Sequence, residues 1–184
     1  IPYKVVGGTR FYDRREVKDA VAYLRVLTNP SDEVSIKRVL NMPKRGVGDT
    51  SVSRLDEFAR QENIPFYEAL RRAEEAGVSG AARRGIESFV AVIEEVSTQE
   101  EQSPGGLLEA VMEKSGYRAE FESDDSVEVA GRLENLDELV SSAKEFAKVD
   151  EFLEQVSLVA DSDDLGDDEK EVLMTMHAAK GLEF

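Results

Sequence analysis

Residues 174–184 have the sequence MTMHAAKGLEF, which places a hydroxyl, an imidazole, an ammonium and a carboxylate group within a short segment. The apolar residues 172–174 in front of it predict a buried strand over 172–175. Gly181 allows the backbone to turn or to approach a ligand closely. Polar side chains directly after a buried strand are typical of the ligand-binding edge of an α/β domain. A second strand is predicted at 3–6, where β-branched residues alternate before two glycines.

Between these two ends the chain has the apolar spacing of helices. Val17, Val21 and Leu24 lie three and four positions apart, which is the period of one helix face. Asn29 ends that helix, because the residue before a proline avoids the α conformation. The segment 161–171 is mostly acidic or small and predicts a loop. The other predicted helices cover 33–41, with Ser31 or Asp32 as cap, the regions around 52–58 and 66–73, and 86–96, 107–115, 127–146 and 149–160.

Charge is distributed unevenly along the 184 residues. The formal net charge is −16, from 23 Lys and Arg against 39 Asp and Glu. Residues 1–60 hold 12 basic and 8 acidic residues, whereas residues 61–184 hold 11 basic and 31 acidic residues. Affinity for nucleic acid depends on local cation density. We therefore expect any DNA-contacting face in the first third, with the acidic remainder turned to solvent or to a basic protein partner.

The composition also excludes several kinds of site. The sequence has no Cys and one His, so it has no disulfide, no thiolate metal site and no multi-histidine zinc site. Its longest apolar runs are a few residues, so no membrane span is expected. The start at Ile1 has neither an initiator Met nor a signal-peptide pattern. These features suggest a truncated piece of a protein from a reducing cytosol.

Four segments together resemble the UvrD/PcrA/Rep helicases, a superfamily 1 family of DNA-unwinding ATPases. Residues 174–184 resemble motif V, residues 3–19 resemble motif IVa, and residues 41–48 and 132–139 resemble stretches of the inserted 2B domain in the same order. The resemblance covers essentially the whole chain. It implies a mainly α fold, a helical 2B-type insertion domain with short β-strands at both termini from the RecA-like 2A domain. The implied division is 1–15 for the end of a 2A segment and the hinge, 16–168 for 2B, and 169–184 for the return into 2A.

A glycine-rich turn between two predicted helices is the candidate DNA contact. Gly46-Val47-Gly48 predicts a tight hairpin whose outward backbone amides hold a DNA phosphate. On local sequence an ordinary turn between helices fits equally well. The turn resembles a helix-hairpin-helix motif, and with the family resemblance this favours contact with duplex DNA. Asp49 or Thr50 is expected to cap the next helix. Duplex contacts are predicted for Lys44, Arg45, Gly46, Val47, Gly48 and Thr50.

The resemblance also implies roles for residues near the ends of the chain. Thr175 and His177 correspond to residues that touch single-stranded DNA, although by itself His177 fits a hydrogen-bonded histidine at a strand end better. Gly181 and Glu183 correspond to residues near ATP, with the carboxylate accepting from ribose hydroxyls. The hinge on which 2B rotates against 2A is predicted at Arg14, Glu16, Lys18 and Asp19.

The parent enzyme implied by the resemblance is a bacterial, cytoplasmic and nucleoid-associated repair helicase. It would use ATP and Mg²⁺ to move 3′ to 5′ on single-stranded DNA, with DNA and repair or transcription proteins as partners. The chain itself has no phosphate-binding loop, so we expect no catalytic residue, no metal site and no bound cofactor in it. Two alternatives remain open: an acidic helical protein-interaction module, and a 2B-like insertion of a helicase-nuclease relative.

Overall fold

The computed structural model describes residues 10–98, 103–122 and 126–164, with the backbone alone for 161–164. Throughout these ranges the regular structure is helical. A 3₁₀ helix at Phe11–Asp13 comes first. The α-helices that follow are α1 (Arg15–Thr28), α2 (Glu33–Val39), α3 (Asp49–Glu62), α4 (Phe66–Arg71), α5 (Gly80–Ser97), α6 (Pro104–Lys114), α7 (Tyr117–Glu122), α8 (Val127–Ala143) and α9 (Val149–Asp164).

Side-chain caps fix where three of these helices begin. Asp32, one of the two predicted caps, accepts a hydrogen bond from the Ser35 amide at 3.0 Å and starts α2. Ser103 accepts from the Gly106 amide at 3.2 Å and starts α6. Ser126 accepts from the Val129 amide at 3.4 Å and starts α8. Each cap satisfies one of the amides that have no partner inside the helix.

Helix α1 lies at the centre of the fold. Its apolar residues from Val17 to Leu27 are buried on all sides, which is the pattern of a helix that packs against neighbours all round. It contacts α2, α5, α6, α8 and α9. The aromatic residues just before it, Phe11 and Tyr12, are also buried, with 2% and 8% of their surface exposed.

The helix faces predicted from the apolar period are confirmed in the two longest helices. Phe89 of α5 and Leu136 of α8 expose 1% and 0% of their surface. Several boundaries differ from the prediction. Helix α5 begins at Gly80 rather than near 86, and α7 was not predicted at all. Helix α9 continues to Asp164, so the first part of the predicted acidic loop is helical.

The predicted fold class is wrong in its β component. Every regular element in 10–98, 103–122 and 126–164 is a helix, and no strand occurs there. The two predicted strands, 3–6 and 172–175, lie outside the described residues. The physical reason is that a strand satisfies its backbone groups only beside another strand, and the described helical region provides none. The mainly α part of the prediction agrees with the structure.

None of the helices in the described part of the chain is both long enough and apolar enough to cross a lipid bilayer.

Candidate nucleic-acid interface

The predicted hairpin connects α2 to α3, and one side chain organises its backbone. The Asn41 carbonyl oxygen Oδ1 accepts from the Arg45 amide at 2.7 Å and from the Val47 amide at 3.2 Å. Gly46 has φ 75°, a left-handed conformation that glycine adopts without strain. The Val47 side chain is buried, with 3% exposed. The turn is therefore anchored from inside, with its two glycines exposed at the surface.

The N-terminus of α3 follows directly after this turn. Gly48 is the N-cap, and its carbonyl accepts from the amides of Ser51 and Val52 at 3.0 and 3.1 Å. No side chain caps this helix, so the expectation that Asp49 or Thr50 would do so is wrong. Both of those residues are exposed. An uncapped helix start with outward amides attracts anions, because the unsatisfied N–H groups and the helix dipole both favour negative charge.

The two predicted cations of the hairpin face opposite ways. Lys44 is exposed and has no ion-pair or hydrogen-bond partner among the described residues. Arg45 is half-buried, and its guanidinium contacts backbone carbonyls and the Tyr23 hydroxyl. Only Lys44 of this pair presents its charge to solvent.

A second hairpin of the same kind lies between α4 and α5. Residues 77–89 repeat the spacing of the glycine-valine pair and of the later apolar residues in 46–58. Gly77 and Val78 therefore correspond to Gly46 and Val47. Gly77 has φ 76°, close to the 75° of Gly46. Val78 exposes 3% of its surface, as Val47 does. The sequence prediction missed this hairpin, although comparison of the two glycine-valine pairs and the apolar residues after them would have found it.

The two hairpins adjoin each other in space. A Cβ atom built on Gly46 would lie 3.4 Å from the Cβ of Ala81 in the first turn of α5. Gly85, further along α5, lies directly against the Arg45 carbonyl. From α3, the Arg54 guanidinium donates to the Gly77 carbonyl at 2.7 Å. Arg84 on α5 is exposed and has no ion-pair or hydrogen-bond partner in the described region. One face of the molecule thus carries two hairpins, two helix N-termini and the free cations Lys44 and Arg84.

The predicted hinge residues form contacts within the helical region itself. Glu16 is buried and accepts from the Asn135 amide nitrogen at 2.7 Å, while Arg14 donates to the Asn135 oxygen at 2.5 Å. These bonds join the start of α1 to α8. Lys18 pairs with Asp13 at 2.7 Å on the surface.

Asp19 is the most buried member of this predicted set, with 3% exposed. It accepts from the Arg38 guanidinium at 2.7 Å and from the Tyr117 hydroxyl at 3.0 Å. Burial and then the Asp19 charge raise the pKa of Tyr117, so the phenol stays protonated and donates to the carboxylate. Asp19 therefore connects α1 to α2 and α7.

The sequence matches the family model described as the UvrD-like helicase C-terminal domain over residues 1–184. The chain belongs to this family. It is 40% identical over 196 residues to the ATP-dependent DNA helicase PcrA of Bacillus subtilis (strain 168), covering 99% of this chain and 26% of that protein. It is 42% identical over 209 residues to the ATP-dependent DNA helicase UvrD1 of Mycobacterium tuberculosis (strain ATCC 25618 / H37Rv), covering 100% of this chain and 27% of that protein.

These matches confirm the resemblance to the UvrD/PcrA helicases. The chain spans about a quarter of the length of these curated relatives. The domain division at residues 15 and 168, and the role of each site residue, stay predictions.

Four predicted site residues of this UvrD-like chain lie outside the described residues, namely Thr175, His177, Gly181 and Glu183. The nucleotide and single-stranded DNA contacts assigned to them have no structural counterpart here. In the part of the chain that the structure describes, no three His, Cys, Asp or Glu residues are grouped to hold a metal ion.

Proposed function

We propose that the helical region of this UvrD-like chain is the 2B domain of an ATP-dependent DNA helicase and that it contacts duplex DNA through the two-hairpin face. The observation that carries the proposal is the uncapped start of α3 behind a hairpin with a left-handed Gly46 and an exposed Lys44. Main-chain amides and cations of this kind hold phosphates and carry no sequence information. The expected contact is with the duplex backbone, without base preference.

The repeated hairpin supports the same proposal. A single uncapped helix start offers few contacts, whereas two adjoining hairpins present two sets of amides on one face. Arg84 on α5 adds a second exposed cation to that of Lys44. The net charge of −16 does not oppose this, because ionic screening restricts each charge to about 8–10 Å in physiological salt, and the local surface decides the affinity.

For the whole enzyme we infer ATP-driven movement on DNA, since the matched relatives are ATP-dependent DNA helicases. Movement from 3′ to 5′ on the single strand is what the family resemblance implies. Gly181 and Glu183 would lie near ATP, and Thr175 and His177 near the single strand. In the complete protein, hydrolysis of bound ATP would supply the energy, and Mg²⁺ would neutralise charge on the phosphates. The 184-residue chain alone has no phosphate-binding loop, so it would bind DNA without hydrolysing ATP.

Salt-dependent binding of the 184-residue chain to a duplex with a single-stranded tail tests the proposal. Fluorescence anisotropy should give a weak dissociation constant, roughly 10⁻⁴ to 10⁻⁶ M at physiological salt. Lys44→Ala should reduce the slope of log affinity against log salt by about 0.9, the value for one lost phosphate contact. The reduction should be the same for unrelated duplex sequences.

Two glycine substitutions provide a matched pair that tests the loop geometry. Gly46→Ala places a side chain in a left-handed conformation that costs about 1–2 kcal/mol, so it should weaken duplex binding. Gly48→Ala should leave binding unchanged, because Gly48 has φ −98° and open space where the Cβ would lie. The proposal fails if the parent chain ignores duplex DNA, or if Lys44→Ala and Gly46→Ala both titrate it as the parent does.

Failure of the duplex test would favour the alternative of an acidic protein-interaction module. The observation behind that alternative is the excess of 31 acidic over 11 basic residues in 61–184. A basic protein partner would then bind with a salt dependence that Lys44→Ala does not change.

A further inference from the structure

The Arg45 side chain points away from the surface on which duplex DNA would lie. Its Nη1 donates to the Met42 carbonyl at 2.9 Å and lies 3.2 Å from the carbonyls of Val39, Leu40 and Pro43. Its Nη2 donates to the Tyr23 hydroxyl at 2.9 Å and to the Ser115 carbonyl at 3.2 Å. The guanidinium is thus surrounded by oxygens from three different parts of the chain.

Several of these oxygens are carbonyls at the C-terminal ends of helices, where a positive charge is favourable. Val39 and Leu40 end α2, and Ser115 is the C-cap of α6. Carbonyls at a helix C-terminus have no partner inside the helix, and the helix dipole favours a positive charge beside them. The guanidinium also lies over the Phe89 ring, 5.6 Å from its centroid, where a cation is attracted to the aromatic face. No carboxylate pairs with Arg45 among the described residues.

The contacts of Arg45 fix the hairpin on both sides. Tyr23, which accepts from Arg45, donates in turn to the Met42 carbonyl. On the other side, the Arg45 amide donates to Asn41, whose side chain also holds the Val47 amide. Backbone and side chain of Arg45 together therefore hold the segment that leads into Gly46.

We propose that Arg45 is a positioning residue: it holds residues 46–48 in the duplex-binding conformation before DNA arrives, and it contacts no phosphate. This inference rests on the proposed function of the two-hairpin face. A loop that is already ordered avoids the entropic cost of ordering during binding. Arginine suits this role because its planar guanidinium donates in several fixed directions, which one ammonium group does not.

The test compares Arg45→Ala and Arg45→Lys with Lys44→Ala as the matched control. The first readout needs no DNA: hydrogen exchange of the Val47 amide reports whether its bond to Asn41 persists. We expect both Arg45 variants to exchange this amide at least about tenfold faster, corresponding to the ordering of about one residue. Lys44→Ala should exchange it at the parent rate.

The second readout separates positioning from phosphate contact. Arg45→Ala should weaken duplex binding about tenfold or more with the slope of log affinity against log salt unchanged, whereas Lys44→Ala should lower the slope by about 0.9. Arg45→Lys keeps the charge and should still bind as weakly as Arg45→Ala.

Each contrary result has a distinct meaning. A slope lowered by about 0.9 in Arg45→Ala, with the Val47 amide still protected, would show that Arg45 contacts a phosphate and would overturn the inference. Parent-like protection in Arg45→Lys would overturn it as well, and this variant carries the test if Arg45→Ala loses its helical circular dichroism. If the parent does not bind duplex DNA at all, the proposed function fails, while the exchange rates still decide whether Arg45 holds the hairpin.

Discussion

Gly85→Ala should displace the hairpin from α5 and destabilise the fold. A Cβ atom at position 85 would lie 2.1 Å from the Arg45 carbonyl oxygen and 2.8 Å from the Arg45 Cβ. Ordinary carbon–oxygen contacts are about 3.3–3.6 Å, so the two segments must separate by about 1 Å. The obstructing atoms belong to backbone that is already anchored by Asn41, and a flexible side chain cannot simply move aside.

The size of the effect follows from two opposing contributions. Replacing glycine by alanine inside a helix gains about 1 kcal/mol of helix propensity. Overpacking a closely packed contact typically costs about 1–3 kcal/mol, and a backbone obstruction places Gly85→Ala at the upper end. We therefore expect a net loss of about 2 kcal/mol in the free energy of unfolding.

Gly131→Ala is the matched control, because Gly131 also lies inside a helix, α8, and a Cβ atom there would meet nothing within 4 Å. This variant should gain about 1 kcal/mol. Urea denaturation followed by far-ultraviolet circular dichroism measures both changes. Relative to the parent, Gly85→Ala should lower the free energy of unfolding and Gly131→Ala should raise it. The two variants should therefore differ by about 3 kcal/mol in this free energy. Gly85→Ala should also weaken duplex binding.

Equal midpoints for Gly85→Ala and Gly131→Ala would refute the argument. Such a result would mean that the hairpin does not rest on α5 in solution, and the two hairpins would then no longer form one face.

Core truncation and alkaline titration provide the remaining predictions. Phe89→Ala should cost about 3–5 kcal/mol and Leu136→Ala about 2–5 kcal/mol, because both side chains are fully buried; Val127→Ala, at a side chain that is 91% exposed, should change stability by less than about 0.5 kcal/mol. A denaturation midpoint unmoved by either core change would show that the helix faces are wrong. Burial and then the Glu94 charge raise the pKa of Tyr67 from 10.0 to about 12, so the unfolded chain loses this proton first and stability should fall as the pH rises from 10.0 to about 12. Tyr67→Phe should make that fall shallower, and an identical pH profile for parent and variant would contradict the assignment.

The hairpin and its neighbours show how far sequence reasoning reaches into the candidate site. The turn at Gly46-Val47-Gly48 was predicted, and the structure places a tight hairpin there. Within that turn only Gly46 has a left-handed φ, whereas Gly48 is extended. The second hairpin, at Gly77, was not predicted from the sequence, although its Gly77-Val78 pair repeats Gly46-Val47.

The amino-acid sequence by itself determined most of the helices, their buried faces and the family. The spacing that buries Phe89 and Leu136 is local, because side chains three and four positions apart share a helix face whatever the helix packs against. Family membership is likewise carried by the order of residues along the chain.

Only the tertiary structure decided what the charged residues do. Lys44 and Arg45 are neighbours with the same charge, and the local sequence does not show which of them faces solvent. Arg45 turns inward because the free carbonyl of Ser115 and the Tyr23 hydroxyl, both distant in sequence, converge on it. Asp19 is buried for the same reason, since Arg38 and Tyr117 supply its donors from α2 and α7. A buried charge requires partners, and folding alone determines which partners lie close enough.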